Sequence, residues 1–343
     1  MNRSTEAIRV MVTLCCSVAL CGNVSADGDW RQLQGNPQRS GNVESEVVPD
    51  TLGLTGTVPL SDGIYASPVV SDGIVYVMDG SGIVFAIDVE SLKIRWRFET
   101  EGGAGNCNNV AAPAVVDEYL HVGTSAGFYY VLDRSNGTVV KRLDFREPVF
   151  SAPAVGDKRV YVATLGAQLY ALEKNGDVAW KWDFVKEVVE FDGNRWSGAD
   201  WLAHRQDRVT WRDHFVCSRD ICLAGDVVVM PAGGRTVFIE DAGNSARLRK
   251  VGEIPKYAGS EYPATFGQSA DADGNVYVQW HRRDNAGRVE KLRLEGDDVQ
   301  TEYVRGTETS IRISGLLSFS SVSVRGGDVF RVRPEQGRGP RRH

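Results

Sequence analysis

The 343-residue sequence predicts an all-β protein, a β-propeller of four-stranded blades with about six blades visible. Three observations predict it. A turn followed by a short β-branched and aromatic strand recurs every roughly 40 to 50 residues. The gaps between strands are too short for the helical crossovers of a parallel α/β fold. Thirty-seven glycines stand in a chain without a low-complexity tract, as many tight turns require.

The turn-and-strand element sets the repeat. Ser71-Asp72-Gly73 leads into Ile74–Val77, Val116-Asp117-Glu118 into Tyr119–Val122, and Gly156-Asp157-Lys158 into Val160–Val162. Ala224-Gly225-Asp226 precedes Val227–Val229, Asp273-Gly274 precedes Val276–Val278, and Arg325–Asp328 precedes Val329–Arg331. The central residues fall at 76, 121, 161, 228, 277 and 330, and only the step from 161 to 228 breaks the spacing. A small-Pro-small lead recurs in phase around Pro68, Pro113 and Pro153. A later strand ends on Trp96 in the first unit and Trp180 in the third. Each unit thus supplies four short strands that cannot bury both faces alone. Stacking the units around an axis buries those faces and leaves only short edges.

Composition narrows the partners. With 42% hydrophobic and 24% charged residues the chain reads as soluble and globular, and a net charge of −6 argues against nucleic acid. Residues 1–26 read as a signal peptide: Arg3 and Arg9, the apolar stretch Val10–Leu20, then Val24-Ser25-Ala26 at the cleavage position. That stretch is short for a membrane span, so an integral membrane protein is not expected. A retained anchor is the alternative, and a lipoprotein would use Cys21, although Leu20 stands where a small residue is wanted. Export makes the protein periplasmic or envelope-associated. The remaining parts are 27–61, a lead-in segment and ring-closing outer strand; 62–335, the propeller; and 336–343, a basic tail.

Beyond the periodicity, particular residues carry a resemblance. Ala86-x-Asp88 through Trp96, Val131-x-Asp133-x-x-Asn136-Gly137, and Ala171-x-Glu173-x-x-Gly176-x-x-x-Trp180 resemble the PQQ-like repeat of quinoprotein alcohol dehydrogenase-like propellers. Residues Trp30–Gly41 resemble the lead-in of the same proteins. The resemblance implies that Trp96 and Trp180 dock each blade on the next. Lys141 stands where the second repeat should carry Trp, so that contact should be weaker.

Candidate sites lie outside the regular repeat. The insertion at about 185–214 holds Arg195, Trp196, Asp200, Trp201, His204, Arg205, Arg208, Trp211, Arg212, Asp213 and His214. Trp196, Trp201 and Trp211 with His204 could stack on a sugar, a quinone or a peptide, or they could staple the loop onto the ring. Arg219 and Arg235 bracket the central strand of the fourth repeat, either as channel ligands or as ion pairs with Asp220, Asp226 or Glu240. Cys217 and Cys222 form a disulfide if their Cβ vectors face each other, and are buried free thiols otherwise.

Two functions follow as expectations. The resemblance to BamB-type assembly proteins implies a non-catalytic envelope scaffold with protein partners and no cofactor or metal. The resemblance to the dehydrogenases implies PQQ with calcium, held near a catalytic Asp and often beside a disulfide between adjacent cysteines. The exported part of the chain has no adjacent cysteine pair, no CxxCH, and no Asp, Glu and Asn set on matching motifs. The scaffold is therefore the expected function.

Overall fold

The computed structural model describes residues 29–41, 53–205, 214–252, 264–281, 287–306, 323–325 and 328–330. The first blade comprises β1 (Val69–Ser71), β2 (Ile74–Met78), β3 (Ile83–Asp88) and β4 (Ile94–Glu99). The second comprises β5 (Ala114–Val116), β6 (Tyr119–Gly123), β7 (Phe128–Asp133) and β8 (Val139–Asp144). The third comprises β9 (Ala154–Val155), β10 (Val160–Ala163), β11 (Gln168–Leu172) and β12 (Val178–Asp183). The fourth comprises β13 (Cys222–Ala224), β14 (Val227–Ala232), β15 (Arg235–Asp241) and β16 (Ala246–Val251). The fifth comprises β17 (Ala264–Ala270), β18 (Val276–His281), β19 (Gly287–Glu295) and β20 (Asp298–Gly306).

Each blade is an antiparallel meander whose strand order follows the chain. A two-stranded pair, β21 (Ser323–Arg325) and β22 (Asp328–Phe330), carries the sixth repeat. Every repeat centre read from the sequence falls in the second strand of its blade, from Tyr76 in β2 to Phe330 in β22. The reason is local. Asp72 and Gly73 both take positive φ, 51° and 72°, and so form the tight hairpin that fixes the register of β1 on β2.

The blades are covered on both faces, which explains why their strands do not alternate cleanly. Tyr76, Met78 and Val84 of blade 1 meet Val122, Tyr130 and Leu132 of blade 2. Tyr129, Val131 and Phe145 meet Val162, Tyr170 and Leu172 of blade 3. Val229 and Phe238 of blade 4 meet Val276, Val278 and Leu292 of blade 5. Outer strands β4 and β8 alternate instead, because one of their faces meets water. Val58 and Leu60 lie against Val77, Phe85 and Ile87, on the face of blade 1 turned away from blade 2. Residues 53–60 reach that seam without forming a strand, by side-chain packing. Beyond β21 and β22, the last blade that the expected ring-closing strand would complete lies outside the described residues.

The docking tryptophans sit where the family resemblance implies. Trp96 pairs with Ala86 beside a bulge in its blade, and Trp180 pairs with Ala171 beside the equivalent bulge. Trp96 Nε1 donates to the Arg134 carbonyl of blade 2 at 2.9 Å, and Trp180 Nε1 to Asp241 Oδ1 of blade 4 at 3.0 Å. A side chain at Gly137 would lie 2.6 Å from the Trp96 ring, and φ there is +76°, so glycine is required twice over. Lys141 and Lys250 occupy the same register in blades 2 and 4. Their ammonium groups reach Asp177 at 2.6 Å and Asp298 at 3.0 Å on the next blade. Blades are therefore stapled alternately by an indole, half-buried for Trp96 and buried for Trp180, and by an exposed ion pair, the latter worth less than about 1 kcal/mol.

Candidate functional site

Two features stand out from the regular ring: the insertion after β12 and the segment that enters the axis. Asp183 ends β12 and caps the short helix α1 (Phe184–Glu187), accepting from the Val185 and Lys186 amides. After a loop, Ser197 and Asp200 cap helix α2 (Gly198–Arg205) through a mutual 2.7 Å bond and the Asp200 amide. Trp201, only 1% exposed, stacks on Phe191 at 3.8 Å between centroids and on Phe215 at 5.7 Å. Its Nε1 donates to the Arg195 carbonyl at 2.8 Å.

Arg195 fastens this small core to the ring. Its guanidinium meets Asp183 at 2.5 Å and Glu147 at 3.4 Å, and it donates to the Gly166 carbonyl at 2.5 Å. Glu147 also accepts from the Thr164 hydroxyl at 2.6 Å. One buried cation between two buried carboxylates, each with a further partner, is a well-compensated arrangement. It spans the β8–β9 connection, the β10–β11 turn and the end of β12.

The structure distributes the sequence candidates unevenly. Of its two readings, Trp201 takes the one that staples the insertion, because both of its ring faces are covered. His204 is exposed and packs edge-on against Phe191 at 5.1 Å. Trp196 is 38% exposed and meets the edge of Phe215 at 5.4 Å. With Leu202, 53% exposed, it gives the insertion an apolar outer surface. Trp211 lies outside the described residues. Arg219 and Arg235 are half-buried and lie on opposite sides of β14 in the chain. Asp226 is taken by Lys158, and Glu240 by Arg247 and Arg249. Asp220 accepts from the Ala152 amide at 2.7 Å. Burial pushes its carboxyl up from the ordinary range, and Arg39 pulls it back.

Of the two readings of the cysteines, the structure has the second: Cys217 and Cys222 are free, buried thiols. Cys217 belongs to the core shared by blades 3 and 4, with Trp201 and Phe215. Cys222 belongs to the core between blades 4 and 5, with Phe238 and Val276. The two side chains serve opposite faces of one blade.

At the axis, the chain's own lead-in lines the inner strands. Trp30 forms a bridge with Val70 of β1, and the Arg31 carbonyl accepts from Val115 of β5 at 2.7 Å. The Gln32 amide exchanges two bonds with Val155 of β9, at 3.0 and 3.3 Å. The Pro37 and Gln38 carbonyls accept from Leu223 of β13 and Ala270 of β17, each at 2.8 Å. Arg39, 0% exposed, donates to the carbonyls of Ala152, Pro153, Ile221 and Leu33 at 2.8 to 3.1 Å. Sequence reading missed Arg39, whose only signal was its place in the lead-in. It also missed Glu147, which nothing in the local pattern marks.

Among the described residues no three His, Cys, Asp or Glu side chains converge as a metal would need, and Gln32 and Arg39 hydrogen-bond to Val155 of β9 and to Ile221 before β13.

A family model described as "Outer membrane protein assembly factor BamB" (PQQ_2) matches residues 54–148 and 109–337, which is most of the chain. The chain belongs to this family. Among curated relatives of this BamB-family propeller, the 1-butanol dehydrogenase (cytochrome c) of Thauera butanivorans is 28% identical over 179 residues, 47% of this chain and 26% of the relative. The outer membrane protein assembly factor BamB of Legionella pneumophila is 27% identical over 149 residues, 41% of this chain and 37% of the relative. The chain thus spans a minor part of the length of both. The quinohemoprotein alcohol dehydrogenase of Comamonas testosteroni superposes with a TM-score of 0.54 at 16% identity, over 81% of this chain and 49% of that one. That likeness shows the propeller fold alone. No helix among the described residues is long and apolar enough to cross a membrane.

Proposed function

We propose that this BamB-family propeller is an exported, non-catalytic scaffold that binds protein partners in the cell envelope. The observation that carries the reading is the axis. The rim where a propeller would hold a small ligand is filled by the chain's own residues 30–39. What remains for a partner is the outer surface, and the insertion supplies a folded one. Trp196 and Leu202 project from a core pinned by Trp201 and by the Arg195 ion pairs. An aromatic anchor on a rigid support, rimmed by polar groups, is the usual make-up of a binding hot spot.

The leader at residues 1–26 lies outside the described residues, and export is part of the proposal. It predicts a periplasmic form beginning at Asp27, read by N-terminal mass analysis. The partner is tested by photo-cross-linking in intact cells, with the probe at Trp196, at Leu202, or at Lys158 beside the β9–β10 turn. The expected result is one discrete envelope protein captured from the first two positions and not from Lys158. Identical capture from all three, or none from any, would remove the insertion as the binding surface.

A further inference from the structure

The innermost strand of each blade pairs on one edge only, and its other edge faces the axis with bare N–H and C=O groups. Residues 29–41 satisfy that edge in all five four-stranded blades, and they do so in chain order. Trp30 serves β1, Arg31 β5, Gln32 β9, Pro37 β13 and Gln38 β17. The bonds are mostly main-chain, so they depend little on side-chain identity. The exceptions are the Gln32 side chain on β9 and Arg39, where the segment turns back with φ at +59°. Its wholly buried guanidinium holds Ala152 and Pro153 of blade 3, Ile221 of blade 4 and Leu33 of the segment itself. Burial lowers its pKa, and Asp220 nearby opposes that shift in part. A guanidinium whose N–H groups spread over two blades and the segment is a geometric lock that a lysine could not reproduce.

We propose that the inner rim is a peptide-binding track, that residues 29–41 occupy it in cis as a strap spacing the five inner strands, and that Arg39 is its lock. The occupant the track recognises is a segment of consecutive turns that offers main-chain carbonyls, one side-chain amide and one arginine. The strap is a separate matter from the partner surface on the insertion, so either can fail without the other.

The test keeps the full chain. A protease site is placed within residues 42–52, and the folded, purified protein is then cut. The cut strap is expected to co-elute with the ring. A labelled peptide of residues 27–41 should exchange into the track saturably and one-to-one. The same peptide carrying R39A should bind at least about 100-fold more weakly, with R39K between them. Because these peptides meet a ring folded with its native strap, a folding defect cannot mimic the result. A cut strap that leaves without changing the melting temperature would overturn the proposal, as would equal binding of the R39A peptide.

Discussion

His121 joins blades 2 and 3 and is held there as a neutral ring. The ring is fully buried in β6, with Nε2 2.9 Å from the Lys174 carbonyl and Nδ1 3.0 Å from the Tyr129 hydroxyl. A carbonyl can only accept, so Nε2 carries the proton and Nδ1 accepts from the tyrosine. Burial lowers the pKa from 6.5 to about 4, the carbonyl opposing it. The neighbouring Lys174 ammonium would oppose a charged ring, and it is itself paired with Asp117 at 2.7 Å on the turns. Between pH 6.5 and 4 the unfolded chain therefore binds a proton that the folded chain refuses. The stabilisation is complete above the unfolded value and is lost as pH falls towards the folded one. From 1.36 kcal/mol per pH unit, His121 removes about 2 kcal/mol between pH 7 and 5, and about 3 kcal/mol by pH 4. The substitution His121→Gln retains a donor near the carbonyl and cannot titrate. Urea unfolding at pH 7 and pH 5 should show the native protein losing about 2 kcal/mol more than His121→Gln. Equal losses in the two proteins would refute the reasoning, since the surface carboxylates contribute equally to both.

Three further outcomes follow from the same geometry. Trp180→Phe removes the bond to Asp241 and should cost about 1–2 kcal/mol, whereas Lys141→Met, which deletes an exposed ion pair, should cost under about 1 kcal/mol; chemical denaturation compares them directly. Trp201→Ala should lose about 3–5 kcal/mol and Trp196→Ala under about 1 kcal/mol in thermal and urea melts, and the reverse order would mean that Trp196 is the core residue. In the exported form, a thiol reagent should label Cys107 alone until the protein unfolds, because burial pushes the Cys217 thiol well above its ordinary value and the Cys222 thiol to about 12. Mass analysis without reductant should find all three thiols intact.

The sequence made the ring legible because its signals are local and repeated. Turn residues such as Asp72-Gly73, strand composition, and the spacing of Trp96 and Trp180 each act within a few residues of where they stand. What stayed hidden is contact across the ring. Nothing near Arg39 announces that it will meet Ala152 and Ile221, more than one hundred residues away. The insertion was visible as an interruption, and its stacking of Phe191, Trp201 and Phe215 was one of two open readings. Pairing was harder still. Cys217 and Cys222 are neighbours in sequence, yet the onset of β13 sends them into different cores. The lead-in's likeness to its relatives marked the segment without saying that it lines the axis.

The proposed function is that of a propeller that binds proteins and performs no quinone chemistry. The most direct test adds PQQ and calcium to the purified exported form and follows the melting temperature together with dye-linked oxidation of simple alcohols and aldoses. The account predicts no saturable shift and no turnover, with residues 29–41 still seated along the axis. A saturable rise in melting temperature accompanied by substrate-dependent dye reduction would contradict it.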